Sequence, residues 1–308
     1  MKKDSRIFQL SQKVLIRLLL GMLTGCTTVP LNHIGVFSQA SAELVRSVAD
    51  GYEIINHNTI EHHISEIASE TGSYPSEATF KDLTLSSSLT TRIRLLTGIK
   101  SYVDALGDLA SANFRKEIDA ASKELYGALN ELQQTYAAAT KTQLPLSDND
   151  FASIATAVDA IGTAIAEDKR RAALRTVIIQ ADPSIQQTMQ LVSSEMPELR
   201  EFSTTNKKTI FTDLIKAYQH ESLALNYSER VMRLAQIRLA YEETEAMSAL
   251  FTVLTASSEQ IARAHGVLRR TVEANKFTSR ELISEIKELV SFAKSTQHFH
   301  DRLLFSSY

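Results

Sequence analysis

The sequence predicts an all-α fold, an elongated bundle of long helices with coiled-coil-like packing. Three observations predict it. The 308 residues include only 10 Gly and 5 Pro, so few positions break a helix. Long stretches of Ala, Leu, Glu, Lys, Gln and Arg fill the rest, the residue types that lose least on entering a helix. Apolar residues recur at steps of three, four and seven, while strand-like alternation and Gly-rich turns are nearly absent. With 44% hydrophobic and 22% charged residues, the chain has the composition of a folded protein.

Residues 1–25 read as a targeting segment. Lys2, Lys3, Arg6, Lys13 and Arg17 form a basic region, and Leu18-Leu19-Leu20-Gly21-Met22-Leu23 an apolar run. The run is too short to span a bilayer, which takes about 20 apolar residues. It ends in Leu23-Thr24-Gly25-Cys26. This tetrapeptide resembles the lipobox of bacterial lipoproteins, in which an aliphatic residue and two small residues precede a cysteine. The resemblance covers only the N-terminal segment. It implies lipidation of Cys26 by a diacylglycerol thioether (palmitate-type chains), cleavage before Cys26 and acylation of the new amine. Several acyl chains together give stable membrane attachment. In Gram-negative lipoproteins an Asp after the cysteine marks inner-membrane retention; Thr27 stands there, which implies the outer membrane of the cell envelope.

The mature body, residues 26–308, reads as a helical domain with any subdomain boundary near 143–150 or 182–183. A first helix is expected from Leu31 to about Thr71, ended by Gly72, Ser73 and Pro75. A second carries the stripe Leu89, Ile93, Leu96, Val103, Leu106, Ala110, Phe114, Ala121, Leu125, Leu132, Tyr136 and Ala139. Gly98, Gly107 and Gly127 lie inside it and suggest close helix contacts or a bend. Ser147 and Asp150 have the spacing of a capping box opening a third helix to about Gln180. Asp182-Pro183 reads as an N-cap and first helical residue, and Pro197 as a kink or restart. A break is expected at Asn226-Tyr227-Ser228. After it comes a stripe from Leu234 through Tyr241, Phe251, Ile261 and His265 to Val272, closed by Asn275. Thr278 and Glu281 box the last helix, which ends near Leu304.

The formal net charge is −3, and removing residues 1–25 leaves the body at −7, because five basic residues and one acidic one go. An acidic body lacks the basic face that nucleic acid requires. The single cysteine rules out an intrachain disulfide or a thiolate cluster. No Gly-x-Ser-x-Gly elbow and no Gly-rich phosphate loop occurs, so the reading is non-enzymatic and without cofactor.

Four residues could chelate from one helix: His57 with Glu61 and His62 with Glu66 are i, i+4 pairs. His62 and His63 point about 100° apart, and no third or fourth ligand is evident. A polar helix face is the expected reading; a metal- or small-ligand-binding envelope protein using the His57–Glu66 face is the alternative. His298, His300 and Asp301 carry the same weak signal. His265 is expected to be a core histidine with one hydrogen bond to a facing helix. Glu242, Glu243 and Glu245 read as a solvated face. Lys169, Arg170, Arg171 and Arg175 form the densest basic run, either a solvated face or a contact to an anionic surface. The function expected overall is a membrane-anchored envelope lipoprotein, a helical scaffold or interaction module that binds a protein partner or itself.

Overall fold

Seven α-helices and no strand make up the described residues, 31–69, 76, 87–112, 114–162, 167–274 and 280–305, of a computed structural model. They are α1 (Leu31–Ser69), α2 (Ser87–Ser111), α3 (Arg115–Thr140), α4 (Asp148–Gly162), α5 (Glu167–Glu221), α6 (Tyr227–Glu273) and α7 (Arg280–Phe305). The all-α expectation holds. Residues 1–30, which contain the lipobox-like segment and Cys26, lie outside the described residues.

One apolar cluster joins all seven helices, α4 through Ile154. Each helix delivers its part by spacing. Ile34, Phe37, Ser41, Leu44, Val48, Tyr52 and Ile55 follow steps of three and four on α1, and all are fully buried. Thr244, Met247, Phe251, Leu254, Ser258, Ile261, His265, Leu268 and Val272 do the same on α6. On α7 the stripe is Leu282, Ile286, Leu289, Ala293 and Thr296. α1 lies at the centre, touching α2, α5, α6 and α7. Two glycines set how closely neighbours approach it. A Cβ on Gly51 would stand 2.6 Å from the Leu254 side chain, and one on Gly107 would stand 2.9 Å from Ser38 Cβ. Gly127, by contrast, faces open space.

Three expected boundaries are corrected. The stripe from Leu89 to Ala139 belongs to two helices, because the chain leaves helical geometry between Ser111 and Arg115. Phe114 fits the apolar spacing but is 69% exposed; it takes extended backbone (φ −120°, ψ 149°) as the N-cap of α3, with its N–H donating to the Glu117 carboxylate at 3.3 Å. The expected helix from Asp150 to Gln180 is divided between α4 and α5. In the opposite sense, α5 runs unbroken through Pro183 and Pro197. Each proline removes one intrahelical bond. The buried residues Ile178, Ala181, Ile185, Met189, Val192 and Met196 flank them and hold the helix against its neighbours. Other signals are met: Ser147 and Asp150 form the reciprocal box at the start of α4, with Asp150 N–H donating to Ser147 Oγ (3.2 Å) and Ser147 N–H to Asp150 Oδ2 (2.8 Å). Asn226 and Glu229 form a full capping box opening α6.

α5 and α6 continue beyond the core as an antiparallel two-helix arm joined at 222–226. Between Lys208 and Leu239 no residue is fully buried.

Candidate functional site

The chemistry-bearing side chains gather at two levels of the bundle. The deeper one is built on His265, which is fully buried. Its Nδ1 lies 2.8 Å from Asp182 Oδ1 on α5, and its Nε2 lies 2.9 Å from the Tyr102 hydroxyl on α2. Phe37 of α1 packs edge-on against the ring, with centroids 6.0 Å apart. Gln186 donates to the same Asp182 oxygen (3.1 Å) and to the Ala262 carbonyl (2.7 Å). Burial pushes the Asp182 carboxyl up, but the hydrogen bond and charge interaction with His265, the Gln186 bond and the Arg269 charge outweigh it, and the group sits below its ordinary value. Burial, helped by the Asp182 charge, pushes the Tyr102 hydroxyl up, so it stays protonated.

An Asp–His–Tyr chain has the connectivity of a proton relay. Here His265 and Tyr102 have no exposed surface, and the chain clamps three helices together, with Phe37 of a fourth against the ring. The expected single hydrogen bond of His265 is corrected to two. Asp182, expected as an N-cap, lies inside α5 and points its carboxylate sideways into the core.

The second level lies where the arm leaves the bundle. Lys207 is 7% exposed, and its Nζ donates to Glu61 Oε2 of α1 (2.6 Å) and Glu243 Oε2 of α6 (2.7 Å). Desolvation favours loss of its proton, yet the two carboxylates win and hold its pKa above the ordinary lysine value. One turn away, Asn58 Nδ2 donates to the Ser203 carbonyl at 2.9 Å. Among the described residues the buried Asn58 Oδ1, Ser203 Oγ and Asn206 Nδ2 have no partner, so this layer is polar and incompletely paired. Glu243 is thereby removed from the expected solvated face. Between the two levels, Arg92 grips Glu195 through Nε and Nη2, beside the buried Tyr52 hydroxyl.

The His57–Glu66 face forms its pairs. His57 Nε2 stands 3.3 Å from Glu61 Oε1, and Glu66 Oε2 lies 3.8 Å from His62 and 3.3 Å from His63. Glu66 therefore reaches both histidines expected to diverge, and Glu61 already holds Lys207. Among the described residues no three His, Cys, Asp or Glu converge as a metal site. Dialysed protein is expected to carry no stoichiometric metal, and changing His57 and His62 together to Ala to leave the melting temperature nearly unchanged. One metal ion per chain by elemental analysis refutes this.

In the basic run, Arg170, Arg171 and Arg175 are half-buried. Arg175 Nη2 donates to the Glu273 carbonyl at 3.0 Å, satisfying an acceptor at the C-terminus of α6. The side chains of Lys169, His298, His300 and Asp301 lie outside the described residues. Open troughs of about 760, 640 and 580 Å³ follow both flanks of α4, lined by small, amide and charged side chains (Asp119, Lys123, Asp148 and Asp159) and the Tyr126–Phe151 pair. They do not enclose a ligand as a typical small-molecule site does.

The arm carries the feature that sequence reasoning missed. Leu223 is 100% exposed, Tyr227 75%, Val231 48%, Met232 61%, Leu234 49% and Tyr241 54%. These are most of the large apolar side chains that the described residues leave in solvent. Tyr227, Val231, Leu234, Arg238 and Tyr241 are spaced four, three, four and three, a second stripe beside the one that packs α6 onto α5. Compared with known proteins, the chain matches no family model, no curated protein and no solved structure.

Proposed function

We propose that the chain is a cell-envelope lipoprotein, non-enzymatic, whose helical body is a scaffold anchored by Cys26 and whose α5–α6 arm docks a protein partner. The observation that supports the docking role most is the arm itself: a two-helix projection with an apolar stripe, broken once at Arg238, left in water. Exposed apolar side chains at helical spacing are what helix-to-helix recognition uses. The Asp182–His265–Tyr102 chain, with His265 and Tyr102 fully buried, supports a structural rather than a catalytic body.

The position of the arm fits an anchored protein. α1 starts at Leu31, five residues after Cys26. Along α1, Phe37 meets His265, Gly51 meets Leu254, Asn58 bonds Ser203 and Glu61 pairs with Lys207. The arm thus leaves the body near the end of α1 remote from the anchor. At 1.5 Å per residue, Leu31 to Glu61 spans about 45 Å and Lys207 to Glu221 about 21 Å, which holds the tip roughly 65 Å from the anchored end. Among the described residues no helix is long and apolar enough to cross a membrane. With Thr27 after the cysteine, the outer membrane is the proposed location.

Cys26→Ser is the direct test. The variant is expected to escape lipoprotein cleavage and to take up no labelled palmitate, whereas the parent chain is expected to be cleaved and to take up the label. Palmitate incorporation into the serine variant overturns the anchor.

A further inference from the structure

We propose that the open face of the arm is a dimerisation surface, and that its occupant is the same face of a second copy of this chain. This deepens the docking role above and rests on it. The face spans both helices: Phe211 of α5 touches Tyr241 of α6, ring centroids 5.9 Å apart. Half-buried Ile215 lies one turn further along α5, and Leu234, Val231 and Tyr227 continue along α6. Two helices with one apolar flank covered by nothing are half of a four-helix bundle.

Two observations and the proposed Cys26 anchor select a second copy. The first is size. Aromatic side chains of this kind carry about 150–250 Å² each, so at these exposures the face presents several hundred Å². That is the order of the roughly 800 Å² each partner contributes to a stable interface. The second is charge. Residues 208–242 hold five Lys or Arg and four Asp or Glu. Much of this charge is spent locally, in Lys216–Asp213 (3.3 Å), Arg233–Glu221 (3.2 Å) and Arg238–Glu242 (3.7 Å). The arm therefore has little net field to repel a like copy or to select a partner of opposite charge. The third is alignment. Copies anchored at the same end in one membrane raise their arms in the same direction, at a high effective concentration. A two-fold axis along the arms then sets Tyr227, Leu234 and Tyr241 opposite their own counterparts.

Arg238 interrupts the stripe, and a single charged residue in such a seam fixes register. A lipid surface fits less well. The stripe from Tyr227 to Tyr241 runs about 21 Å down the arm, and a bilayer would cover only the tip at Leu223 and Tyr227.

Single substitutions Tyr227→Cys, Leu234→Cys and Tyr241→Cys in the full lipidated chain, oxidised in cells, test the pairing. The expected result is a disulfide-linked species of twice the chain mass from each. Gln236→Cys, on the opposite side of α6, and Tyr126→Cys, on the body, should give none. Leu234→Glu should halve the particle mass in mild detergent while helicity by circular dichroism is unchanged. Adducts of other masses at Leu234→Cys overturn self-pairing and leave the docking role standing. Linkage found only between co-expressed Tyr227→Cys and Tyr241→Cys overturns the parallel arrangement. Vesicles that shield Tyr227→Cys but not Leu234→Cys from a water-soluble maleimide overturn it in favour of a lipid surface. No adduct at any arm position, with the parent chain monomeric, overturns both the pairing and the docking role.

Discussion

Replacing His265 with alanine is expected to destabilise the protein by about 3 kcal/mol or more, because it breaks a buried pair and opens a cavity at once. Tyr102, fully buried, loses the partner of its hydroxyl, and Asp182 keeps a carboxylate only 13% exposed with no histidine beside it. Denaturant unfolding with an unchanged slope measures it; a loss below about 1 kcal/mol refutes the clamp. The pH dependence has a definite sign. The folded-state pKa of Asp182 is depressed below its ordinary 3.8, so its ionised form contributes stability that is fully present above that value. The contribution is lost as pH falls through the lower, folded-state pKa. The stability gap between the parent and Asp182→Asn should therefore be constant above about pH 4 and shrink in stronger acid. A gap that widens in acid contradicts the assignment.

The second large effect is expected at Leu106. It has no exposed surface and sits where α2 packs against the core, next to the Gly107–Ser38 crossing. Leu106→Asp forces a carboxylate into that contact with no cation to meet it, at a cost of several kcal/mol, about 4 or more. The variant should lose its cooperative melt or fail to accumulate, and Leu125→Asp on α3, equally buried, should behave alike. Lys116→Glu is the proper control: Lys116 is exposed, and the change should stay within about 0.5 kcal/mol. Lys100 is less suitable, since it is half-buried and paired with Asp104 at 2.5 Å. Equal stability of Leu106→Asp and Lys116→Glu is incompatible with the packing described here.

Leu106 and Leu125 were legible in the sequence because helix periodicity is a local signal, and so were the box at Ser147 and the break at Asn226. What escaped was decided at a distance. Phe114 has the right spacing for the core, yet the helix ends before it, and spacing alone cannot register that. Pro183 and Pro197 are local breakers, overridden by apolar residues buried on either side of them. Asp182 before a proline looks like a cap; its true partner is 83 residues away. Lys207, Glu61 and Glu243 look like surface charges on three separate helices until the fold brings them together. The arm's second stripe was partly visible at Leu234 and Tyr241, but periodicity marks an apolar face without saying whether anything covers it.

The placement of Lys207 has a mechanical consequence. About a quarter of α5 (208–221) and of α6 (227–239) lies in the arm, so the arm is a cantilever clamped at that residue. A sideways load at the tip bends a cantilever most at its clamp. Helical rods curve only gently, with radii of about 60–100 Å, so the shafts carry the load to the base with little give. The base is fastened by ion pairs and an amide hydrogen bond, Lys207 to Glu61 and Glu243 and Asn58 to Ser203, where deeper layers interlock apolar side chains. Such fastenings act as shear pins. They fix direction through a few polar contacts, where the deeper layers fix it through interlocked leucines.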